Sequence, residues 1–231
     1  MTTALLWYDA EPKPAKAAEF QRVTHELGHR FGVIAHPVHT GKAMVDAARL
    51  FEPGSVTHLV CNMHGFTTRL LCSSAGVHAT THAPPRVVSI GAFVDAWRPV
   101  LADVVKVSLC ACCCSQEPRV FANLWGPWAH DDGGLHSFSA LLRDALAAQG
   151  VAARVRGHTT AGHVLNNPAL REHGCAAHEP GRSLFNIALE PLGVRPTWST
   201  ARRWNNTVAG ELAREWLLFG TGPVEAIRSM W

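Results

Sequence analysis

Two short stretches of this sequence end in residues suited to nucleophilic chemistry. Val107 to Ser115 reads Val-Ser-Leu-Cys-Ala-Cys-Cys-Cys-Ser, an apolar run that enters a cluster of thiols. Val56 to Gly65 is a second apolar run, and it stops at His64-Gly65. A thiol attacks a carbonyl as the thiolate, and a neighbouring imidazole can take its proton and later return one to a departing amine. A glycine after the histidine leaves its backbone N–H free to approach a reacting oxygen. With the N–H of the nucleophilic cysteine it would form an oxyanion hole. The pattern therefore marks Cys112 as candidate nucleophile, His64 as candidate base and Gly65 as candidate oxyanion donor. Cys113 is the alternative nucleophile, because a strand end read from sequence can be off by a residue.

The same residues admit a second chemistry. Cys61, Cys72, Cys110, Cys112, Cys113, Cys114 and His64 are soft ligands for a metal-binding or redox-sensing module. Against it, no Cys-x-x-Cys pair is matched by a second at zinc-finger spacing. Consecutive cysteines on a strand also point in differing directions and chelate one tetrahedral ion poorly. The expectation is a site with no metal and no cofactor. With fourteen histidines in the chain, no single histidine carries an argument alone.

For His64 and Cys112 to meet, the elements bearing them must end at the same edge of the fold. Thr3 to Tyr8 reads as a buried strand, bounded by Asp9 and the Pro12/Pro14 pair. Ala15 to Arg30 has apolar residues at helical spacing (Ala17, Phe20, Val23, Leu27, then Phe31), with Gly32 as its stop. Val33 to Val38 predicts a second strand, Lys42 to Phe51 a helix ended by Pro53-Gly54, and Val56 to Asn62 a third strand. Residues 66–86 read as a hairpin or irregular excursion. Ile90 to Ala102 predicts a helix with Phe93, Val94, Trp97 and Leu101 on one side, kinked or shortened by Pro99. Val104 to Ala111 is the fourth strand, and 115–134 a long loop of the kind that often carries function. Leu135 to Gln149 is a helix, and Ala152 to Val155 starts a fifth strand leading into Gly157-His158-Thr159-Thr160-Ala161-Gly162-His163. Beyond Pro168 the pattern weakens; Leu184 to Leu189 reads as one more strand and Asn205 to Phe219 as a helix.

That alternation predicts an α/β fold, a mostly parallel sheet with helices on both faces. In such sheets ligands bind beyond the carboxyl ends of the strands, where His64, Cys112 and residues 157–163 would project. The expected organisation is residues 1–167 as one catalytic domain and 168–231 as a C-terminal extension packed on it.

The paired motifs resemble a caspase-like cysteine peptidase of clan CD, the group that includes caspases, gingipains, clostripain, legumain and separase. Those enzymes carry an apolar strand ending in His-Gly and a second ending in a catalytic Cys, often preceded by Ala. Here the matching stretches are Leu59-Val60-Cys61-Asn62-Met63-His64-Gly65 and Val107-Ser108-Leu109-Cys110-Ala111-Cys112, with His64 and Cys112 48 residues apart, against about 50 in caspases. The resemblance covers about residues 3–165 and implies a caspase-like three-layer sandwich. It also implies a cysteine endopeptidase that works through an acyl-enzyme on a protein or peptide substrate. By the same resemblance Cys110 stands where caspases place a specificity glutamine, and Thr159, Thr160 and His163 become candidates for the substrate-pocket wall. The Gln-Ala-Cys-Arg-Gly of caspases is absent, and no acidic residue stands two before Cys112, so neither acidic nor basic specificity follows. Asp131 and Asp132 as selectors of a basic side chain weigh less than a solvated turn. Arg154, Arg156 and Arg171 weigh less as an acid-binding set than as surface charge, and His158 and His163 stand between turn and pocket lining. A catalytically dead caspase-like fold, serving as an interaction scaffold, is the remaining alternative.

Composition agrees with a globular protein: 47% of the 231 residues are hydrophobic and 17% charged. The net charge of +3 is mild and the basic residues are scattered, which argues against a nucleic-acid partner. No apolar run reaches a membrane span, and the N-terminus lacks a secretory pattern. Seven cysteines, three of them consecutive, are read as free thiols in a reducing, cytoplasmic setting. The oligomeric state is not legible.

Overall fold

A computed structural model describes residues 2–31, 34–72, 75–79, 87–116, 133–159 and 170–183. Strand β1 (Thr2–Tyr8) buries Ala4, Leu5 and Leu6 in succession, the unbroken apolar run of a central parallel strand. Helix α1 (Pro14–Phe31) opens on a proline, which suits a first helical position because that N–H has no intrahelical partner. It packs against β1 and β2 (Ile34–Val38). Strand β2 lies at the edge of its sheet and carries Pro37, which is tolerated there.

Helix α2 (Gly41–Asp46) is capped by Thr40, whose Oγ1 accepts from the Ala43 N–H at 3.1 Å. It tightens into a 3-10 turn over Ala47–Leu50. Strand β3 (Val56–Asn62) matches its expected span. The excursion that follows is a small sheet of its own, with β4 (His64–Phe66), β5 (Arg69–Cys72), β6 (Ala75–His78) and β7 (Val88–Ser89) in that order.

Helix α3 (Ile90–Trp97) is capped by Ser89 and stops well before Ala102. Arg98 still has helical geometry and donates to the Val94 carbonyl at 2.8 Å, but Pro99 has no N–H to continue the ladder. Leu101, expected on the helix, is instead the first residue of β8 (Leu101–Cys110), which begins three residues earlier than Val104. Helix α4 (Phe138–Ala148) starts behind a Ser137 cap, so Leu135 lies in the preceding turn. Strand β9 (Ala152–His158) runs three residues past Val155.

The main sheet has seven strands. Its last two are β10 (Leu170–His173) and β11 (Arg182–Ser183), and its order is β11-β10-β9-β8-β3-β1-β2. The five strands from β2 to β9 are mutually parallel, while β10 is antiparallel to β9 and β11 to β10. The chain after Pro168 thus rejoins the sheet, and a boundary at 168 falls between neighbouring strands. The expected strand at Leu184 to Leu189 and helix at Asn205 to Phe219 lie outside the described residues, as does most of the 115–134 loop. Helix α3 packs against both α2 and α4. The buried Trp97 indole donates to the Met44 carbonyl at 2.9 Å and packs against Phe51 and Phe93. No helix among the described residues is long and apolar enough to cross a membrane.

Candidate functional site

Strands β3 and β8 are direct neighbours, and their ends are in register. Asn62 faces Cys110, and the Met63 N–H donates to the Cys110 carbonyl at 3.3 Å. His64 and Cys112 each stand two residues beyond that matched pair. Both line one small cavity of about 30 Å³, together with Asn62, Cys110 and the α1 residues Lys16 and Phe20. That is room for a water or the tip of a reacting group. Gly65 packs directly on the thiol stretch: a Cβ built there would lie 2.7 Å from the Ala111 Cβ and 2.8 Å from the Cys112 carbonyl oxygen. Only a residue without a side chain lets the two motifs come this close.

His64 is 32% exposed, and its ring is held edge-on by Tyr8 and Phe20, with centroids 5.9 and 5.4 Å away. Its Nε2 is hydrogen-bonded to an oxygen of Glu11, whose side chain is 4% exposed. The other Glu11 oxygen accepts from the Lys13 N–H at 3.3 Å. Burial pushes the Glu11 carboxyl up, but the His64 hydrogen bond, the Lys13 amide and the charges of His64 and Lys16 together outweigh it and hold its pKa below the usual carboxylate value. Among the described residues, no partner hydrogen-bonds His64 Nδ1.

The four clustered thiols differ sharply. Cys110, Cys113 and Cys114 are buried, whereas Cys112 is half-exposed. Burial pushes the thiols of Cys110, Cys113 and Cys114 up to about 12. Cys114 donates its S–H to the Ala111 carbonyl at 3.2 Å. Cys113 adopts φ 54°, a left-handed conformation uncommon outside glycine. It marks the sharp turn that separates the exposed thiol from the two that point back into the core.

That turn is braced from below. The Ser115 N–H donates to the His158 carbonyl at 2.9 Å, and both the N–H and the Oγ of Ser139 donate to the Cys114 carbonyl at 2.9 Å. The Ser115 hydroxyl donates to Ser139 Oγ at 2.5 Å, and Arg171 Nη1 donates to the Ser115 carbonyl at 2.7 Å. Gly157 passes beneath, where any Cβ would meet Cys114 Sγ at 2.5 Å.

Several expectations are corrected by these contacts. Arg171 and Arg156 are not solvated surface charges: they are 4% and 8% exposed, and Arg156 pairs with Glu172. Arg154 is exposed. His158 is a fully buried strand residue, not part of a turn. Cys110 lines the cavity, but as a buried wall with no exposed surface. Thr159 is buried at the end of β9 and does not line the cavity shared by His64 and Cys112. Thr160, His163, Asp131 and Asp132 lie outside the described residues. Among the described residues no three His, Cys, Asp or Glu side chains are grouped to hold a metal ion.

Glu11 is the site residue that the sequence reading missed. Its one available signal was position, at the carboxyl end of a parallel strand beside the strand that delivers His64. Comparison with known proteins finds no matching family model, no similar curated protein and no similar solved structure.

Proposed function

We propose that the protein is a cysteine endopeptidase of the caspase-like kind, acting on a protein or peptide substrate through a His64/Cys112 dyad. The observation that carries this reading is the register of β3 and β8, which delivers an imidazole and the one half-exposed thiol of the cluster to a single cavity. The caspase-like three-layer sandwich belongs to the same proposal. It is supported by α1 packing on β1 and β2 while α3 packs against both α2 and α4. Right-handed crossovers set helices on opposite faces when the chain moves to opposite sides of its first strand.

The chemistry runs in two halves. His64 takes the Cys112 proton, and Sγ attacks the scissile carbonyl carbon. The N–H groups of Gly65 and Cys112 receive the negative oxygen of the tetrahedral intermediate. His64 then passes the proton to the amine as the C–N bond breaks, leaving a thioester. A water molecule gives a proton to His64 and attacks that thioester, releasing the acid and restoring the thiol.

Two measurements on the purified protein test this: cleavage of a peptide library and covalent labelling by a peptidyl electrophile. Cys112→Ala and His64→Ala abolish both, and Cys113→Ala leaves both within severalfold of the wild type. Labelling that follows Cys113 would move the nucleophile by one residue. Unchanged cleavage in both Cys112→Ala and His64→Ala would end the reading.

A further inference from the structure

A buried carboxylate whose two oxygens are both committed is placed by the fold for a purpose other than solubility. Glu11 lies in the short link between β1 and α1, and it is held by contacts on both sides. On one side the Tyr8 hydroxyl donates to the Ala10 carbonyl at 2.8 Å, and the same Tyr8 ring packs edge-on against His64. On the other, the Lys13 N–H at the start of α1 donates to Glu11 Oε1. The remaining oxygen, Oε2, meets His64 Nε2 across a separation of 53 positions in the chain.

An ionised carboxylate only accepts hydrogen bonds, so His64 Nε2 must carry the proton in this pair. The neutral ring then has its lone pair on Nδ1, the nitrogen with no hydrogen-bond partner among the described residues. We propose that Glu11 is a positioning residue for His64, fixing the tautomer that leaves Nδ1 for the Cys112 proton and stabilising the imidazolium once it forms. This inference rests on the His64/Cys112 pairing proposed above. The charged and titratable groups around the pair are Lys13 just before α1, Lys16 and Glu19 from α1, and Cys112 and its neighbouring thiols from the turn after β8. Among them, Glu11 is the one bonded to the ring.

The test uses a small haloacetamide, whose reaction with Cys112 needs no peptide hydrolysis. The rate is followed by mass spectrometry across pH 5 to pH 9 on the full chain. Glu11→Gln keeps the shape and removes the charge. It slows alkylation of Cys112 at pH 7 about tenfold and moves the acid limb of the profile to higher pH by about one unit. Glu11→Asp recovers part of the rate, which a purely structural role would not give. In the wild type, the ring 15N shifts of neutral His64 report the proton on Nε2, a readout that needs no variant. A Glu11→Gln profile that superimposes on the wild type, or a neutral ring protonated on Nδ1, overturns the proposal. If His64→Ala leaves alkylation unchanged, the His64/Cys112 pairing falls and Glu11 with it. If His64→Ala slows alkylation and Glu11→Gln does not, only the role of Glu11 falls.

Discussion

A thiol serves a hydrolase only if it can shed its proton and be reached by substrate, and three of the four cysteines from 110 to 114 fail on both counts. Burial holds Cys110, Cys113 and Cys114 near 12, so at neutral pH each stays a thiol and packs as a small apolar group. Cys112 alone of the four has surface, and it lies in the cavity with His64. Of these four, Cys112 is therefore expected to be modified first when the native protein is treated with limiting iodoacetamide at pH 7.5. Cys110, Cys113 and Cys114 react only after denaturant is added. Peptide mapping by mass spectrometry checks the order, and prior modification of Cys113 would contradict it. The choice between Cys112 and Cys113 was open in the sequence for a physical reason. Strand alternation says which side a residue faces only while the strand continues, and here it gives way to a turn with Cys113 at φ 54°. Glu11 was invisible for a different reason, since no spacing rule links a loop acid to a histidine 53 positions later.

Elements were more legible than side-chain partners where an apolar run is buried on all sides. The runs ending at Asn62 and Cys110 need a central place in a sheet, and the motifs that follow them are then brought together by register. The polar strand β10, Leu-Arg-Glu-His, offers no such signal. It reads as surface, yet Arg171 and His173 are buried in it because Ser115, Ser137 and the loop at Gly181 close over them. The approach that sets the two motifs side by side is that of β4 on the turn after β8 at Gly65. The atoms that a Cβ there would strike belong to Ala111 and to the Cys112 backbone, so they cannot swing aside. Gly65→Ala is expected to cost about 1–3 kcal/mol through overpacking. It also displaces His64 relative to Cys112 and slows peptidyl-electrophile labelling by about 100-fold. Denaturant midpoints and labelling rates measured on the same preparation check both effects, and a wild-type labelling rate would show that the two motifs are not held by this contact.

At the scale of the whole molecule, one buried and one partly buried histidine tie stability to pH. His173 is held down to about 3, first by burial and then by Arg171 and Arg143. His58, bonded to Ser108 at 2.9 Å, is held down to about 4 by burial, with Lys106 and Arg156 adding to it. In the unfolded chain both titrate near 6.5. Between pH 6.5 and pH 4 the unfolded chain therefore binds protons that the native fold refuses, and stability falls as pH falls. Their contribution is complete above pH 6.5, and each histidine costs about 3 kcal/mol by pH 4. Glu11, with its carboxyl lowered, adds a loss of the same sign only further down, as pH falls below its unfolded value of 4.5. Domains of this size have about 5–15 kcal/mol in hand, so the two histidines alone remove much of it. Urea midpoints should be flat from pH 8 to pH 7 and drop steeply from pH 6 to pH 4. His58→Gln, which keeps a hydrogen-bonding group beside Ser108 but cannot take a proton, should flatten the slope by up to one proton's worth. A midpoint that stays level down to pH 4 would mean that these rings are reached by water in the native fold and that the polar interior bracing the thiol turn is looser than its contacts require.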